Sequence, residues 1–524
     1  MNDKRMDSDI STTAKKRGII KKGESLDDAL KRAVEGLTAI DRGFENGARQ
    51  GSFEAQFQEA IKDKTLVLGT QLIAGVDDEL GDAVGACTVI PVIREGISFD
   101  SLSFAKDSKG VLSEGLGTGY DISRFEDPVA VLRKMNDVLL DIDSELRLRN
   151  MRPTASITVL DSNHPKILEF INSKIGVDFV KWRINISVAF RGLPEVVDKG
   201  FVDLVDEIAR ASYLSGEPGV LFFDRFEKDN PTPQIPYVSV APCGEVAMAE
   251  GEQCHFAHIN LDQIVRKGSV DWSLLSSTAK LAVRVLDNAL EISIKKGAHG
   301  LVAQKRRIGV GVMGFHSMLI RLGIPYASTE SVNLAQKLSE MITFSAYSES
   351  LSLSKSRGPF PLWIQSRWQD KQWVERKKEY RTGIVAQEEW SLLAMQISEK
   401  GIRNASIVAY PPTGNSSNLA RASKSFEPIF SKNDPIDALD WYRVQGGSLE
   451  SPIVSTATEI SPIWHLKVYA AFQRFSDESS SKTVNVSCKT TIEQIKELFL
   501  RIREDNLKGV TIFRDPRICK SKRF

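Results

Sequence analysis

The sequence has no long apolar run, and this absence excludes a membrane-spanning protein. A transmembrane helix needs about 18 or more consecutive apolar residues, and no such stretch occurs in the 524 residues. The first seventeen residues are polar and charged, so they also lack the apolar segment of a secretory signal peptide. We therefore expect a cytoplasmic protein with no membrane partner.

An excess of charge of one sign is also missing. The 69 Lys and Arg residues balance 68 Asp and Glu residues, which leaves a formal net charge of +1. Broad binding to nucleic acid depends on a positive field over the protein surface. The balance therefore predicts no nucleic-acid partner, and any anionic substrate must be held by local contacts.

Cysteine is scarce and scattered. A small secreted domain that depends on disulfides uses many closely spaced cysteines, which this chain does not have. We expect its cysteines to be buried or chemically active rather than structural staples. They are Cys87, Cys243, Cys254, Cys488 and Cys519.

Short apolar runs alternate with helical patterns over most of the chain, which predicts an α/β architecture. Residues 1–22 are expected to form a disordered leader, 23–64 an N-terminal helical segment, 65–515 one large α/β domain, and 516–524 a C-terminal tail. Predicted strands lie at 88–93, 156–160, 184–189, 219–223, 405–410 and 510–513. Predicted helices cover 24–63, 273–296 and 329–357, with one beginning at Asp127-Pro128 and one at the capping box Thr490-x-x-Glu493.

Three short patterns are candidates for chemistry. Gly309, Gly311 and Gly314 form a formal G-x-G-x-x-G, but the basic, loop-like stretch before it is not the strand that a dinucleotide site requires. Close helix packing is the better interpretation. In Pro242-Cys243-Gly244-Glu245, a tight loop could direct a thiol and a carboxylate into one cavity. A buried structural cysteine beside a solvated glutamate is the alternative.

The third pattern, Thr413-Gly414-Asn415-Ser416, follows a predicted strand and leads into a short helix. Backbone N–H groups and hydroxyls at such a position can cradle a phosphate, although a plain polar turn explains the pattern equally well. His255 and His258 do not form metal-ligand spacing with a second cysteine pair. We therefore predict no metal site.

Taken together, these motifs resemble the catalytic subunit of ribonucleotide reductase, in the order typical of that family over about residues 65–515. The resemblance rests first on Cys87–Val92, Gly115–Arg124 and Pro242–Glu245. Further matches are Cys254 with Ile259–Leu261, Arg306–Gly314, Pro412–Gly414, Phe426–Pro428, Ala470–Gln473, Ser481–Asn485 and Lys508–Thr511.

The resemblance implies a ten-stranded α/β barrel of the ribonucleotide reductase type, with Cys243 on a central finger loop. By carry-over, Cys243 becomes a thiyl radical and Glu245 is the general base. Cys87 and Cys254 match the pair that supplies two electrons and ends as a disulfide. The reaction removes the 2′-hydroxyl of a nucleotide to give a deoxynucleotide, with Thr413, Gly414, Asn415 and Ser416 holding the phosphates.

The radical source is inferred by exclusion. Oxygen-dependent members carry a tyrosine pair near the last strand, whereas this chain has Thr511-Ile512-Phe513, and a glycyl-radical motif is absent. The chain is therefore most similar to the adenosylcobalamin-dependent class (class II), which implies adenosylcobalamin as cofactor. A thiol reductant such as thioredoxin is expected as a partner, and the protein is expected to be a monomer or homodimer.

Four departures from the family pattern indicate a divergent member. Ala241 replaces the family's Asn, the Gly/Ser-rich stretch after Arg124 is missing, no N-terminal ATP-cone domain is evident, and the C-terminal cysteine pair is reduced to Cys519. These departures favour a specialised pathway. The alternatives are a redox-neutral radical enzyme acting on a modified nucleotide and a catalytically silent nucleotide-binding relative.

Overall fold

Strands and helices alternate along most of the chain in the computed structural model. It describes residues 19–21, 23–44, 48–76, 84–92, 99–149, 151–178, 181–192, 198–514 and 519. The strands are β1 Leu66–Leu68, β2 Cys87–Val89, β3 Gly117–Asp121, β4 Ser156–Asp161, β5 Ile184–Phe190, β6 Gly219–Phe222, β7 Ser239–Val240, β8 Ala247–Met248, β9 Gln253–Cys254, β10 Phe256–Asn260, β11 Val265–Arg266, β12 Ser269–Val270, β13 Gly309–Met313, β14 Thr483–Asn485 and β15 Gly509–Phe513. The α-helices are Leu26–Asp41, Ala48–Lys62, Thr70–Gly75, Ser101–Ser113, Pro128–Leu148, Ile167–Asn172, Lys199–Ser215, Phe223–Asp229, Trp272–Lys295, Leu301–Lys305, Phe315–Leu322, Thr329–Arg357, Lys371–Val374, Gln387–Lys400, Gly414–Ala420, Asp437–Val444, Pro462–Gln473 and Ile492–Glu504.

An eight-stranded sheet with the order β14-β15-β6-β5-β4-β3-β2-β9 is the centre of the fold. From β2 to β6 each strand is parallel to the next, because a helix crosses back between the two. At the two margins the direction reverses: β15 is antiparallel to β6 and β9 is antiparallel to β2. The chemistry described below lies near these margins.

A second sheet with the order β1-β10-β13 is connected to the first at both ends. On one side, β9 continues into β10 after the single residue His255. On the other side, an isolated bridge joins Val310 of β13 to Val408. A second bridge joins Tyr410 to Ser480, which lies three residues before β14. The predicted strand at 405–410 is therefore present only as these bridges rather than as a continuous ladder.

The crossover helix that follows β3 has the N-terminal residues that its sequence pattern predicts. Pro128 is the first residue of the helix Pro128–Leu148, as predicted, and the Asp127 side chain accepts a hydrogen bond from the N–H of Ala130. The apolar side chains of this helix are buried along one face, and each contributes about 1.5–3 kcal/mol relative to exposure. The predicted helices at 273–296 and 329–357 are confirmed as Trp272–Lys295 and Thr329–Arg357.

Other predictions shift in position. The helix predicted over 24–63 is two helices, Leu26–Asp41 and Ala48–Lys62. The last capping box is one residue later than predicted, because Thr491 rather than Thr490 is the N-cap and Gln494 returns the hydrogen bond. Gly309–Met313 is itself strand β13, which explains why no dinucleotide-type turn follows a strand there.

The N-terminal helix is attached to the large domain through buried charge. Asp41 accepts hydrogen bonds from Arg284 at 2.8 Å and from Asn288 at 2.9 Å, and it also pairs with Arg357. The disordered leader was predicted to extend to residue 22, whereas Ile19 and Ile20 are only 5% and 4% exposed. Residues 1–18 and 22 lie outside the described residues, as does most of the predicted tail.

Of the helices that the structure describes, none is both long and apolar enough to cross a membrane.

The β7–β8 hairpin passes so close to the eight-stranded sheet that it constrains two positions of β3. A Cβ atom on Gly119 would lie 2.0 Å from the carbonyl oxygen of Val240, and one on Gly117 would lie 2.7 Å from Cγ of Pro242. Both distances are shorter than van der Waals contact allows. The close approach of the hairpin therefore requires glycine at both Gly117 and Gly119.

Gly119→Ala should displace the hairpin, because the atom that the new methyl group meets is backbone. We expect the free energy of unfolding to fall by about 1–3 kcal/mol or more, as for other overpacked cores. Denaturant unfolding measures this change. Gly110→Ala is the matched control, since Gly110 is exposed on the helix Ser101–Ser113 and nothing lies within 4 Å of its Cβ position. Equal stability of the two variants would contradict the proposed close contact.

Candidate active site

The loop between β7 and β8 presents Cys243 and Glu245 at the tip of the hairpin. The N–H of Ala241 donates to the carbonyl of Val246, and the N–H of Gly244 donates to the carbonyl of Ala241, each at 2.8 Å. Gly244 has φ +75°, a conformation that favours glycine. These contacts give the tight turn that the Pro-Cys-Gly-Glu pattern predicts.

Two cavities meet at Cys243. The Cys87 cavity has a volume of about 420 Å³, and Cys87, Cys243, Glu245 and residues 413–416 contribute to its lining. The Thr511 cavity has a volume of about 340 Å³ and is lined by Cys243 together with Ser480–Thr483 and Gly509–Thr511. Both volumes are in the range of small-molecule sites. Cys243 is thus exposed to both cavities.

Cys87 and Cys254 are cross-strand neighbours. They are directly paired in the antiparallel register of β2 and β9, and paired residues of antiparallel strands have Cα atoms about 4.5–5.5 Å apart. A disulfide needs a separation of about 4.4–6.8 Å between Cα atoms. The register therefore allows these two thiols to form a bond without movement of the backbone.

All three free cysteines are held as thiols rather than thiolates at neutral pH. Burial, and after it the charge of Glu245, raises the pKa of Cys87 to about 12. The same two causes raise the pKa of Cys243 well above its usual value, and burial does so for Cys254. Protonated thiols are poor nucleophiles but retain a hydrogen atom to donate.

Glu245 places a buried carboxyl at the Cys87 cavity. It is 2% exposed, and its Oε2 atom has no hydrogen-bond partner among the described residues. Burial raises the pKa of this carboxyl to about 7. A carboxyl with such a pKa can give or take a proton at neutral pH, as general acid–base catalysis requires.

The 413–416 loop lines the Cys87 cavity, but two of its hydroxyls bind the protein itself. Thr413 Oγ1 accepts a hydrogen bond from the N–H of Ser425 at 2.8 Å, and Ser416 Oγ donates to the carbonyl of Leu68 at 3.2 Å. These bonds attach the loop to its surroundings. Because these two hydroxyls already have partners in the protein, the backbone of the loop is among the groups that can contact a ligand.

A buried charge cluster lies beneath Cys254. Arg307 pairs with Glu252 at 3.3 Å and with Glu478, and it donates to the hydroxyl of Tyr237 at 3.1 Å. Lys305 also pairs with Glu252, so two cations meet two carboxylates and the cluster is formally neutral. Mutual pairing is what makes such buried charges tolerable. The cluster gives the wall behind the thiol pair a defined structure.

Sequence reasoning missed two side chains of the Cys87 cavity. Arg152 is the only Lys or Arg among the described residues that line it, and it donates to the carbonyl of Gly115 at 2.7 Å. His258, on β10, also lines it. Arg152 lies outside every motif, so no local pattern identified it. His258 was considered only as a metal ligand.

The prediction that Cys519 is unaccompanied is wrong. Cys519 forms a disulfide with Cys488, and their Cα atoms are 5.0 Å apart. The two residues are 31 positions apart in the sequence, so no short spacing revealed the pair. The expectation that none of the cysteines acts as a structural staple is corrected for these two.

Comparisons with known proteins agree with the motif order. The sequence profile of a family described as "Ribonucleotide reductase, barrel domain" matches residues 198–434 and 450–513, which is more than half of the chain. A "Vitamin B12-dependent ribonucleoside-diphosphate reductase" of Thermoplasma acidophilum is 28% identical, over 90% of this chain and 66% of the relative. A protein of the same name from Mycobacterium tuberculosis is 27% identical, over 94% of this chain and 76% of the relative.

The match extends more weakly to another group of relatives. A "Ribonucleoside-diphosphate reductase subunit alpha" of Chlamydia pneumoniae is 28% identical over 42% of this chain and 22% of its own length. The chain spans between 66% and 76% of the length of the two B12-dependent relatives.

The register of β2 and β9 makes a specific prediction about oxidation. Mild oxidation of the folded protein should join Cys87 to Cys254, because these thiols face each other across two paired strands. Mass spectrometry of unreduced peptides measures the linkage, with the Cys488–Cys519 bond as an internal standard. In the matched variant Cys254→Ser, Cys87 should stay free. A dominant Cys87–Cys243 bond in the wild-type protein would contradict this assignment.

Proposed function

Because this chain belongs to the ribonucleotide reductase barrel-domain family, we propose that it removes the 2′-hydroxyl from the ribose of a nucleotide to give a deoxynucleotide. The observation that carries this proposal is the meeting of Cys243, Cys87 and Glu245 at one cavity. The direct pairing of Cys87 with Cys254 adds a reductant of two electrons beside it.

Each of these groups has a defined part in the proposed reaction. A thiyl radical at Cys243 abstracts the hydrogen atom on C3′, and ionised Glu245 takes the proton of the 3′-hydroxyl. The 2′-hydroxyl then leaves as water with a proton from the thiol pair. The second hydrogen of the thiol pair goes to C2′, and the two electrons of Cys87 and Cys254 reduce the substrate as their disulfide forms. Glu245 returns its proton to the 3′-oxygen, and Cys243 returns its hydrogen atom to C3′. The radical is thereby restored at Cys243, and a thiol reductant must reopen the disulfide.

We also propose that the two sheets form the ten-stranded barrel expected of this family. Strands β2 to β6, β15, β14, the 405–410 segment, β13 and β10 would follow one another around it. Two observations support this order: β9 runs directly into β10, and the bridges at Val310 and Tyr410 connect β13 through 405–410 to the chain before β14. The β7–β8 hairpin would be the central finger.

The Thr511 cavity is the proposed place of radical generation. Its lining includes Cys243 but neither Glu245 nor Cys87, and it is of nucleoside size rather than corrin size. Ser480 lines it, and Ser480 Oγ is buried with no hydrogen-bond partner among the described residues. These features fit the adenosyl part of adenosylcobalamin, which supplies a carbon radical when it is bound. Ser480 and Thr511 would orient that group toward Cys243.

The nucleotide would occupy the Cys87 cavity, with its phosphates at residues 413–416. Arg152 supports this assignment, because it brings a positive charge to a cavity in which the other charged groups, Glu114 and Glu245, are acidic. The thiol reductant, such as thioredoxin, and the monomeric or homodimeric state stay predictions. The specialised pathway also stays a prediction, and a panel of the four common ribonucleotides tests it.

Cys243→Ser should abolish deoxynucleotide formation by the purified full-length protein supplied with adenosylcobalamin, a ribonucleoside diphosphate and dithiothreitol. A serine O–H bond is too strong to yield the required radical, whereas nucleotide binding should be nearly unchanged. Product is measured by liquid chromatography with mass spectrometry. Activity of the variant above roughly a hundredth of wild type would contradict the assignment. Wild-type turnover with Cys87 and Cys254 still reduced would instead indicate a redox-neutral reaction.

The pKa of Glu245 predicts how the rate depends on pH. Burial raises this pKa to about 7, and a general base must be ionised, so kcat/KM should rise tenfold per pH unit below 7 and level off above it. Glu245→Gln should remove this limb and lower the rate by about 10²–10⁴-fold. Rates measured from pH 5.5 to 8.5 test both points. A flat profile for the wild-type protein would exclude Glu245 as the base.

A further inference from the structure

His258 lines the Cys87 cavity on a strand that otherwise supports the core. In β10 the side chains of Ala257 and Ile259 belong to the main apolar core, whereas Phe256 and His258 line the cavity. This alternation follows from the pleat of the strand, which sends successive side chains to opposite faces. His258 is only 3% exposed.

The His258 ring differs from the other buried histidines in its hydrogen bonding. Within the part of the chain that the structure describes, Nδ1 of His258 has no partner and no hydrogen bond of its ring is found. Each of the others bonds at least one ring nitrogen inside the protein. They are His255 to Ser293, His316 to the carbonyl of Ile453 and His465 to the carbonyl of Ala457.

An unpartnered polar ring in a buried site costs free energy, and this cost is removed when a ligand completes the hydrogen bond. Burial lowers the pKa of the His258 ring to about 3. The ring is therefore neutral at physiological pH, with one nitrogen that donates and one that accepts. It is suited to bind a polar ligand group through a hydrogen bond rather than through its own charge.

The position of the ring indicates which part of the ligand it meets. A Cβ atom on Gly311 would lie 3.2 Å from Nδ1 of His258 and 2.9 Å from Cδ of Pro411. The ring therefore lies close to Pro411, which precedes Thr413 by two residues. His258 is thus at the base of the loop proposed to hold the phosphates.

We propose that His258 binds the phosphate-bearing end of the nucleotide substrate by a hydrogen bond from its neutral ring. This inference rests on the proposed function, since it takes the ligand of the Cys87 cavity to be a nucleotide. It adds a substrate-binding residue from β10 that acts together with Arg152. The cation balances ligand charge, and the imidazole supplies a directional contact.

Equilibrium binding without turnover tests this assignment. The affinities of a ribonucleoside, its monophosphate and its diphosphate are measured calorimetrically for the full-length wild-type protein and for His258→Phe and His258→Asn. We expect His258→Phe to weaken diphosphate binding about tenfold, the value of one neutral hydrogen bond, and to leave nucleoside binding unchanged. His258→Asn should lose less, because its amide retains a polar group near the position of Nδ1.

His255→Asn is the matched control, since His255 is also a buried histidine next to β10 but bonds Ser293 and does not line either cavity. It should bind all three ligands as the wild-type protein does. Unchanged diphosphate affinity in folded His258→Phe would overturn the proposal. If that variant does not fold, unchanged affinity in His258→Asn together with unchanged affinity in His258→Gln overturns it.

An equal loss for nucleoside and diphosphate would also overturn the assignment, because it would place the contact on the ribose or base. Failure of the proposed function has a different signature. In that case the wild-type protein binds nucleotides, and binds them through His258, but does not convert them to deoxynucleotides.

Discussion

The close contact between the β7–β8 hairpin and strand β3 is the constraint on which the site depends. The carbonyl of Val240 occupies the space that a side chain at Gly119 would need, and Pro242 does the same at Gly117. Only this proximity brings the Cys243 loop down to the level of β2, where Cys87 faces Cys254. A hairpin one side chain further from the sheet would move Cys243 away from Cys87.

The same enclosure determines the protonation states of the site. A buried environment disfavours charge, so the thiols keep their protons and the carboxyl of Glu245 titrates near neutrality. Nearby, Arg307 is paired with both Glu252 and Glu478. The interior therefore contains two groups of side chains. One is the ion-paired cluster of Arg307, Glu252 and Glu478, and the other is the group of Cys87, Cys243 and Glu245 at the Cys87 cavity.

Cys243 lies between the two cavities and lines both of them. One side brings it to Cys87 and Glu245, and the other to the strands β14 and β15. In the proposed reaction the radical would be generated on the side of the Thr511 cavity and used in the Cys87 cavity. The disulfide between Cys488 and Cys519 joins Cys519 to the chain that follows β14.

Local patterns in the sequence determined the α/β class, the helices beginning at Pro128 and Thr329, the tight Cys243 loop and, through motif order, the family. These features depend on residues that are near one another in the chain, or on motifs that survive divergence. The resemblance also implied the pair of Cys87 and Cys254, for which the structure supplies the strand register. Only the tertiary structure decided that Cys519 bonds Cys488 and that Arg152 and His258 share a cavity with Glu245. Such neighbours come from separate strands and loops, and their proximity depends on strand register and chain crossing, which no local spacing records.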